Sequence, residues 1–410
     1  MMPIQDLGDW LDEQQQEGVL WYVKRLSAND TQYTGGHQAG FYVSKQSAFR
    51  LFPSLNNVSE KNPRVKFDMM VDSHANARTV TVIWYNNKPH YRYHNKPREG
   101  TRDELRITGH GGSGSPLLDP ESTGGLVVFA FHPPTMTKHP VCHAWVCENA
   151  VEEDRIEDLI GPVLPGKPRI WPELLSDQGG PPPCWLEPDD FPPEWLKEYP
   201  KAAEIVRKTV ELRPELSADV DRRLIRRHDC EYELYESLET AVELSRVQQG
   251  YQTLEEFRGH AQSVLQRRKS RAGRSLELHV RRILCEENLV EDQHFAYQPT
   301  LEANNSPDFL FPNAQAYNDS SFPKHKLRML AVKTTLKDRW RQVLEEAERV
   351  EPKHLLTLDQ GVSENQFQEM TEAGIRLVAP SSLHGQYPQS VRPHLQTLES
   401  FIGDVRLLVP

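Results

Sequence analysis

Seven prolines lie between residues 181 and 200, within a segment that reads QGGPPPCWLEPDDFPPEWLKEYP. Proline-rich segments act as semi-rigid spacers between folded units. At 410 residues the chain is long for one domain and sufficient for two, each with its own core. We therefore predict one domain at residues 1–175, a Pro-rich linker at residues 176–203, and a second domain at residues 204–410.

The two predicted domains differ in their hydrophobic patterns. Before the linker, β-rich runs at residues 20–23, 79–84 and 126–131 are separated by turn signals, which is typical of a barrel-like domain. After the linker, the chain begins with predicted helices. Strands and helices then alternate, with apolar runs PDFLF, RMLAVK, HLLTL and IRLVAP. This alternation predicts an α/β domain in which a mixed central sheet is flanked by helices.

Three residues of the second domain form a candidate catalytic set. Asp308 follows Ser306-Pro307, Lys333 ends the apolar run RMLAVK, and Glu346 lies on a predicted helix beyond it. A carboxylate and a lysine on neighbouring strands can face one side of a sheet. Hydrolysis of a phosphodiester needs charge neutralisation and an oriented water, and Mg²⁺ prefers hard carboxylate oxygens. By spacing alone, a turn aspartate and a solvated lysine are the commoner interpretation.

The predicted helix over residues 338–350 carries an apolar stripe of Trp340, Val343, Leu344 and Ala347. Glu346 lies on the flank of that stripe, so its carboxylate could reach the site. The alternative is a surface glutamate paired with a nearby arginine.

Longer segments of the chain resemble one nuclease family. They are KRLSANDT (24–31), TGGHQ (34–38), GSPLLDPESTG (114–124), RRKSRAGRSLELH (267–279), PDFLFP (307–312) and LRMLAVKTTLKDRWRQ (327–342). The chain is similar in these segments to the EcoRII family of type IIE restriction endonucleases. The resemblance implies an amino-terminal effector DNA-binding pseudobarrel and a carboxy-terminal restriction-endonuclease-like domain. It also implies a Mg²⁺-dependent homodimer that cuts double-stranded DNA at a short CC/GG-flanked, CCWGG-like site and is stimulated by additional copies of it.

The resemblance assigns roles to the catalytic residues. Asp308, Lys333 and Glu346 match the catalytic set, and Asp308 and Glu346 would hold the metal. Ala331 lies two residues before Lys333. Many relatives in the wider superfamily carry an acid at this position. Glu277 and Tyr317 are supporting candidates, although Tyr317 could equally be a packing residue.

DNA contacts also follow from the resemblance. Lysine and arginine can donate to guanine and aspartate can accept from cytosine, so Lys337, Asp338 and Arg339 suit C·G pairs. Alternatively, Asp338 caps a helix. The basic run that includes Arg268, Lys269, Arg271 and Arg274, and a cluster that includes Arg226 and Arg227, are candidate phosphate contacts or solvated helix faces.

In the first domain, the family's effector-DNA contacts fall on two segments. They correspond to His37, Tyr42, Arg102, Glu104 and Arg106. Gly100 stands where the family has a lysine, which puts effector affinity in question. The alternative interpretation is a set of polar loop residues between strands.

The formal charge of −11 argues against indiscriminate DNA binding, which depends on cationic surface. Five scattered cysteines are consistent with reduced thiols in a cytoplasm. No signal peptide or membrane-spanning run is evident, so a soluble cytoplasmic protein is expected.

The predicted function is therefore sequence-specific double-strand DNA cleavage, restrained by the amino-terminal domain until it binds a further copy of the site. Two alternatives stay open. One is a non-catalytic DNA-binding regulator with the same two modules, and the other is a repair nuclease that reads DNA structure.

Overall fold

The computed structural model describes residues 6–31, 40–86, 103–111, 114–133, 140–172, 182–215, 219–301 and 306–408. Two β-sheets organise these residues, one of eight strands in the amino-terminal part and one of five in the carboxy-terminal part. Within the described ranges, no helix is long and apolar enough to cross a membrane.

The amino-terminal sheet is curled. Its strands are β1 (Leu20–Arg25), β2 (Phe41–Val43), β3 (Arg64–Val71), β4 (Asn76–Tyr85), β5 (Glu104–Thr108), β6 (Leu126–His132), β7 (Val141–Val146) and β8 (Arg169–Trp171). Their order is β2-β5-β4-β3-β7-β6-β1-β8, and β3 pairs with β7 in parallel while the other pairs are antiparallel. This sheet confirms the predicted β-rich pseudobarrel.

Strand β6 is apolar along its length because both of its faces are covered. Phe129 and Phe131 point into the core of the curled sheet. Val128 and Ala130 point to the other face, where they pack in a cluster that includes residues of α1 (Leu7–Gln14) and α3 (Ala150–Ile160). A strand buried on both faces lacks the alternation of a half-exposed strand. A further helix, α2 (Lys45–Leu51), follows β2.

The carboxy-terminal sheet is mixed, as predicted. Its strands are β9 (Ala296–Tyr297), β10 (Phe309–Phe311), β11 (Arg328–Lys333), β12 (Lys353–Thr357) and β13 (Ile375–Val378). They lie in the order β13-β12-β11-β10-β9. Strands β11, β12 and β13 run parallel to one another, whereas β10 is antiparallel to both β9 and β11. The reversal at β10 brings the start of that strand beside the end of β11.

Helices cover both faces of this sheet. They are α5 (Val220–Gln249), α6 (Leu254–Glu286), α7 (Ala314–Asn318), α8 (Glu364–Glu372) and α9 (Leu398–Arg406), whereas α4 (Ala202–Leu212) packs against α5 and α6. Along β11, Leu330 and Val332 pack in the cluster that contains α6 and α9 residues, and Met329 and Ala331 pack on the opposite face. The two-residue period of a strand therefore separates two cores.

The described part of the Pro-rich segment packs against helices. Phe191 and Trp195 are buried in a cluster with Leu234 of α5, and Cys184 forms a disulfide with Cys230 of α5. The expectation of five reduced cysteines is therefore wrong for this pair, because two cysteines 46 residues apart meet where the segment folds back. The division at residues 176–203 stays a prediction.

Candidate active site and DNA interface

The antiparallel pairing of β10 with β11 brings Asp308 and Lys333 together. Asp308 immediately precedes β10, and Lys333 is the last residue of β11. The Val332 N–H donates to Asp308 Oδ2 at 2.7 Å, and Lys333 Nζ lies 3.8 Å from the same oxygen. Asp308 is buried, whereas the Lys333 side chain is 24% exposed. The lysine can therefore meet a substrate while the aspartate stays fixed by the backbone.

Glu346 lies beside this pair, but the predicted helix that carries it is wrong. Residues Lys337–Glu345 form a 3₁₀ helix, and Glu346 follows it in an extended conformation. The helix cannot continue because Ala347 has a φ of 44°, in the left-handed region. The Lys353 ammonium donates to the carbonyl oxygens of Glu346 and Ala347, which holds this turn in place.

Glu277 of α6 completes the acidic group. Its Oε2 accepts from Tyr297 Oη at 3.1 Å and from Gln298 Nε2 at 2.8 Å. Both donors lie at the end of β9, next to β10. The sequence suggested Glu277 as a supporting acid, whereas Tyr297, Gln298 and Lys353 carried no motif that could identify them.

Burial raises the pKa values of all three carboxyl groups, and neighbouring carboxylates add to the rise for Glu277 and Glu346. Burial raises the pKa of Glu346 to about 7; Lys333 opposes this rise, and Asp308 and Glu277 add to it. Burial also raises the pKa of Glu277 to about 7, with a further rise from Asp308. For Asp308, burial raises the pKa despite Lys333 and the Val332 N–H. Carboxyl groups crowded in this way favour a bound cation.

The side chains fit a hard divalent cation. Glu346 Oε2 is buried and has no hydrogen-bond partner among the described residues, so an oxygen is left for a metal or water ligand. Asp308 and Glu277 offer further carboxylate oxygens nearby, and oxygen ligands of this kind suit Mg²⁺.

A second acidic group lies elsewhere and has a structural explanation. Asp219, Asp221 and Glu399 approach one another within 4.8 Å. Asp219 caps α5 by accepting from the Arg222 N–H, and Asp221 accepts from the Leu398 N–H at the start of α9. Asp219 and Asp221 satisfy helix N-termini, which accounts for their position beside Glu399 in the first turn of α9.

The expected base-reading residues lie against the amino-terminal domain. Lys337 Nζ donates to the Cys147 carbonyl at 3.1 Å, and Arg339 pairs with Asp154 at 2.8 Å. Asp338 does not cap the helix as the alternative interpretation expected, because the N-cap is Leu336 and no side chain caps this end. Asp338 instead lies 3.4 Å from Arg341.

Five of the basic residues expected to contact phosphates are engaged in ion pairs. The pairs are Arg226 with Glu215, Arg227 with Glu286, Arg268 with Glu239, Lys269 with Asp158, and Arg271 with Glu231. Arg227 and Arg271 are also buried. DNA contact by these residues stays a prediction, and for the two buried arginines it would require breaking a buried ion pair.

Tyr317 is a packing residue in this structure. It is buried in the cluster that also contains Met370 of α8 and Ile375 of β13. Arg349 donates to the Tyr317 carbonyl and its guanidinium lies 5.5 Å from the ring centroid. Its predicted supporting role is untested.

On the amino-terminal sheet, three of the effector candidates are described. Tyr42 of β2 is 44% exposed and pairs in register with Arg106 of β5. Arg106 donates to the Gly40 carbonyl at 3.0 Å and lies 3.6 Å from Glu104. These residues lie on adjacent strands at the sheet edge. His37, Gly100 and Arg102 fall outside the described residues.

A buried charge network joins the two parts of the chain. Arg25 of β1 pairs with Glu153 and Glu157 of α3, each at 2.8 Å. Glu157 also lies 3.5 Å from Arg339 of the carboxy-terminal part. Asp359 is buried beside this network; burial raises its pKa to about 7, Arg25 opposes the rise, and Glu153 adds to it. Sequence reasoning missed Asp359, which lies next to no recognisable motif.

Asp359 makes stability depend on pH. Its folded-state pKa of about 7 exceeds the ordinary value of 3.8, so between these values the folded protein holds a proton that the unfolded chain releases. Stability is therefore lost as pH rises through this window. Compared with the parent, Asp359→Asn should gain about 2 kcal/mol more stability at about pH 8 than at about pH 5.

Denaturant unfolding of both proteins at the two pH values measures this difference. Asparagine can still accept the hydrogen bond from the Leu336 N–H, which Asp359 accepts at 2.6 Å. A stability difference that did not change with pH would show that Asp359 is ionised in the folded protein.

A mixed sheet that places an aspartate and a lysine from adjacent strands beside two glutamates defines a restriction-endonuclease-like nuclease. Residues 15–174 match the family described as "Restriction endonuclease EcoRII, N-terminal", and residues 235–402 match the family "EcoRII C terminal". The chain belongs to the EcoRII family and is a type II site-specific deoxyribonuclease.

A curated relative spans almost the whole chain. Type II restriction enzyme EcoRII of Escherichia coli is 41% identical over 404 residues, which cover 97% of this chain and 96% of the relative. This match confirms the expected resemblance. Enzymes of this class normally use a divalent metal ion.

Two solved structures were also matched. Metal-depleted Ecl18kI in complex with uncleaved DNA is 18% identical, with a TM-score of 0.43, over 54% of this chain and 85% of that chain. The B3 domain of UbaLAI restriction endonuclease with cognate DNA is 18% identical, with a TM-score of 0.25, over 37% of this chain and 86% of that chain. The family assignment depends on the sequence matches.

Proposed function

We propose that this enzyme cleaves both strands of a short CC/GG-flanked, CCWGG-like site as a Mg²⁺-dependent homodimer in the cytoplasm. An additional copy of the site, bound by the amino-terminal domain, stimulates cleavage. The observation that carries the proposal is the grouping of Asp308, Lys333, Glu346 and Glu277 at one end of a mixed sheet. Its support is the family membership of the whole chain.

In this proposal each residue has a chemical task. Asp308 and Glu346 would hold Mg²⁺, which when bound supplies charge neutralisation and a more acidic water. Lys333 Nζ donates to the attacked phosphate and stabilises its developing negative charge. Tyr297 and Gln298 orient the Glu277 carboxylate. The Val332 N–H keeps Asp308 in one orientation, so little reorganisation accompanies the reaction.

Specificity in this proposal comes from the 3₁₀ helix that precedes Glu346. Lys337 and Arg339 can each donate to guanine O6 and N7, and Asp338 can accept from the cytosine amino group. These residues stand between the sheet that carries Lys333 and the turn that carries Glu346. Correct base contacts would therefore be coupled to the position of the catalytic acids.

Digestion of a multi-site plasmid with Mg²⁺, followed by sequencing of the ends, tests the proposal. We expect discrete ends at one short CC/GG-type site. Binding without cleavage would favour the regulator, and cutting of branched but not linear duplexes would favour the repair nuclease.

The domain contacts support restraint of the enzyme by its amino-terminal domain. The groups that would read bases on Lys337 and Arg339 are occupied by Cys147 and Asp154. Further contacts between the two parts pair Lys269 with Asp158, Ser363 with Glu121, and Ala28 with Gln360. DNA can reach Lys337 and Arg339 only after these contacts separate.

The effector face lies close to this interface. Tyr42 and Lys24 line a cavity of about 500 Å³ together with Gln360 and Gln386 of the carboxy-terminal part. A DNA duplex that contacts Tyr42 would approach these catalytic-domain residues. Effector binding and the closed arrangement would then compete for the same space.

Reversing the charge of Asp154 should weaken the closed arrangement. In Asp154→Lys the pair with Arg339 is replaced by repulsion, which we expect to cost the closed form about 1 kcal/mol because the pair is partly exposed. Cleavage of single-site DNA should rise about fivefold relative to multi-site DNA.

Initial cleavage rates on single-site and multi-site plasmids measure this ratio. Glu13→Lys is the matched control, since Glu13 is exposed on α1 and forms no ion pair with the residues that the structure describes. An unchanged ratio in Asp154→Lys would count against restraint through this contact.

A further inference from the structure

A groove of about 460 Å³ runs along the outer side of α6. Its lining includes Tyr199, Lys201, Arg274, Arg281, Tyr297 and Gln298. The groove combines positive charge with aromatic rings. Two of its lining residues, Tyr297 and Gln298, are the donors that hold Glu277 in the candidate active site. One end of the groove is therefore adjacent to the acidic group.

Arg274 is distinguished from the other arginines of this groove by its lack of partners. Arg267 pairs with Glu243 and stacks over Tyr199, and Arg271 is buried with Glu231. Arg281 pairs with Glu291. Arg274 is exposed and has no hydrogen bond or ion pair with any residue in the described ranges. Its guanidinium is therefore available to an external anion.

The position of Arg274 links the groove to catalysis. Glu277 follows Arg274 by three residues on α6, so the two lie about 4.5 Å apart along the helix axis and on neighbouring faces. A strand held by Arg274 would pass beside the acid that Tyr297 and Gln298 orient.

We propose that Arg274 contacts a backbone phosphate of the DNA strand that is cut, close to the scissile phosphate, and so positions that strand. This inference rests on the proposed nuclease function and selects one residue from the basic run. Guanidinium groups bind phosphate through two parallel hydrogen bonds, which fixes direction as well as charge. For Arg271 the same role would require breaking a buried ion pair, whereas Arg274 has no pair to break.

Steady-state cleavage of multi-site DNA with Mg²⁺ tests the proposal, using the full-length parent, R274Q, R274K and the control R258Q. Arg258 is exposed on the same helix and its nearest acid is Glu255, at 3.8 Å. We expect R274Q to lower kcat/KM about tenfold, mainly through KM, and to reduce the slope of log kcat/KM against log salt by about 1. R274K should recover part of the lost kcat/KM, and R258Q should have the same kcat/KM as the parent.

Duplexes that carry one neutral methylphosphonate locate the contact. At one position near the scissile bond the substitution should slow the parent about tenfold and cause no further loss in R274Q. The proposal would be overturned if log kcat/KM fell equally steeply with log salt in the parent and in R274Q. It would also be overturned if R274Q and R258Q lost kcat/KM to the same extent. Absence of cleavage by the parent would instead contradict the proposed nuclease function, so the two failures are distinguishable.

Discussion

Replacing Asp308 by asparagine is expected to reduce DNA cleavage about a hundredfold to a thousandfold, since removing a single electrostatic group from such a site costs about 10²–10³. The substitution removes the negative charge that faces Lys333, 3.8 Å away, and that would hold the metal. Asparagine can still accept from the Val332 N–H, so the strand pairing should persist. Cleavage rates at saturating DNA and Mg²⁺ measure the effect.

Asp189→Asn is the control for Asp308→Asn, because Asp189 is exposed in the Pro-rich segment, far along the chain from the sheet. DNA binding by the Asp308 variant should remain within a few-fold of the parent. Cleavage within tenfold of the parent would place the catalytic acid elsewhere.

Replacing Arg271 by alanine is expected to destabilise the protein by about 3–5 kcal/mol, which is typical of breaking a buried ion pair by removing one partner. Arg271 Nη1 donates to both Glu231 oxygens, at 2.9 and 2.8 Å, and its guanidinium lies 4.4 Å from the Tyr235 ring centroid. Ser275 donates to the same carboxylate at 2.6 Å. Removal of the guanidinium leaves Glu231 charged and buried. Urea unfolding measures the loss.

Arg274→Ala is the matched control, one turn further along α6 and without a partner among the described residues. It should change stability by less than about 0.5 kcal/mol. A loss of less than about 1 kcal/mol in Arg271→Ala, together with weakened DNA binding, would restore Arg271 as a DNA contact.

The basic run shows that positive charge in a sequence does not by itself identify DNA contacts. Arg268, Lys269, Arg271 and Arg274 are equivalent as cations in a sequence, and a phosphate-binding patch is a reasonable prediction for all of them. In the folded chain the first three meet acids from α3 and α5 that are 29, 111 and 40 residues away, respectively. Only tertiary structure shows which cation remains available.

The predicted α-helix that carries Glu346 is wrong for a local reason. The apolar spacing of Trp340, Val343 and Ala347 is compatible with an α-helix, and these three residues are indeed buried. The chain nevertheless forms a 3₁₀ helix, which ends before Glu346 because Ala347 adopts a left-handed conformation and Lys353 binds the turn. Periodicity records which side chains face the core, and it does not distinguish related helical geometries over so short a stretch.

By itself, the sequence determined that two dissimilar folds occur in one chain and that the second has a mixed sheet with Asp308 and Lys333 on neighbouring strands. These conclusions depend on the periodicity of the strands, on the turn residues between them, and on the order in which strands and helices alternate along the chain. Only the tertiary structure decided the disulfide between Cys184 and Cys230, the burial of Arg271, and the contacts of Lys337 and Arg339 with the amino-terminal domain. These depend on partners from 40 to 190 residues away, and the energy of a buried charge is set by the partner it meets.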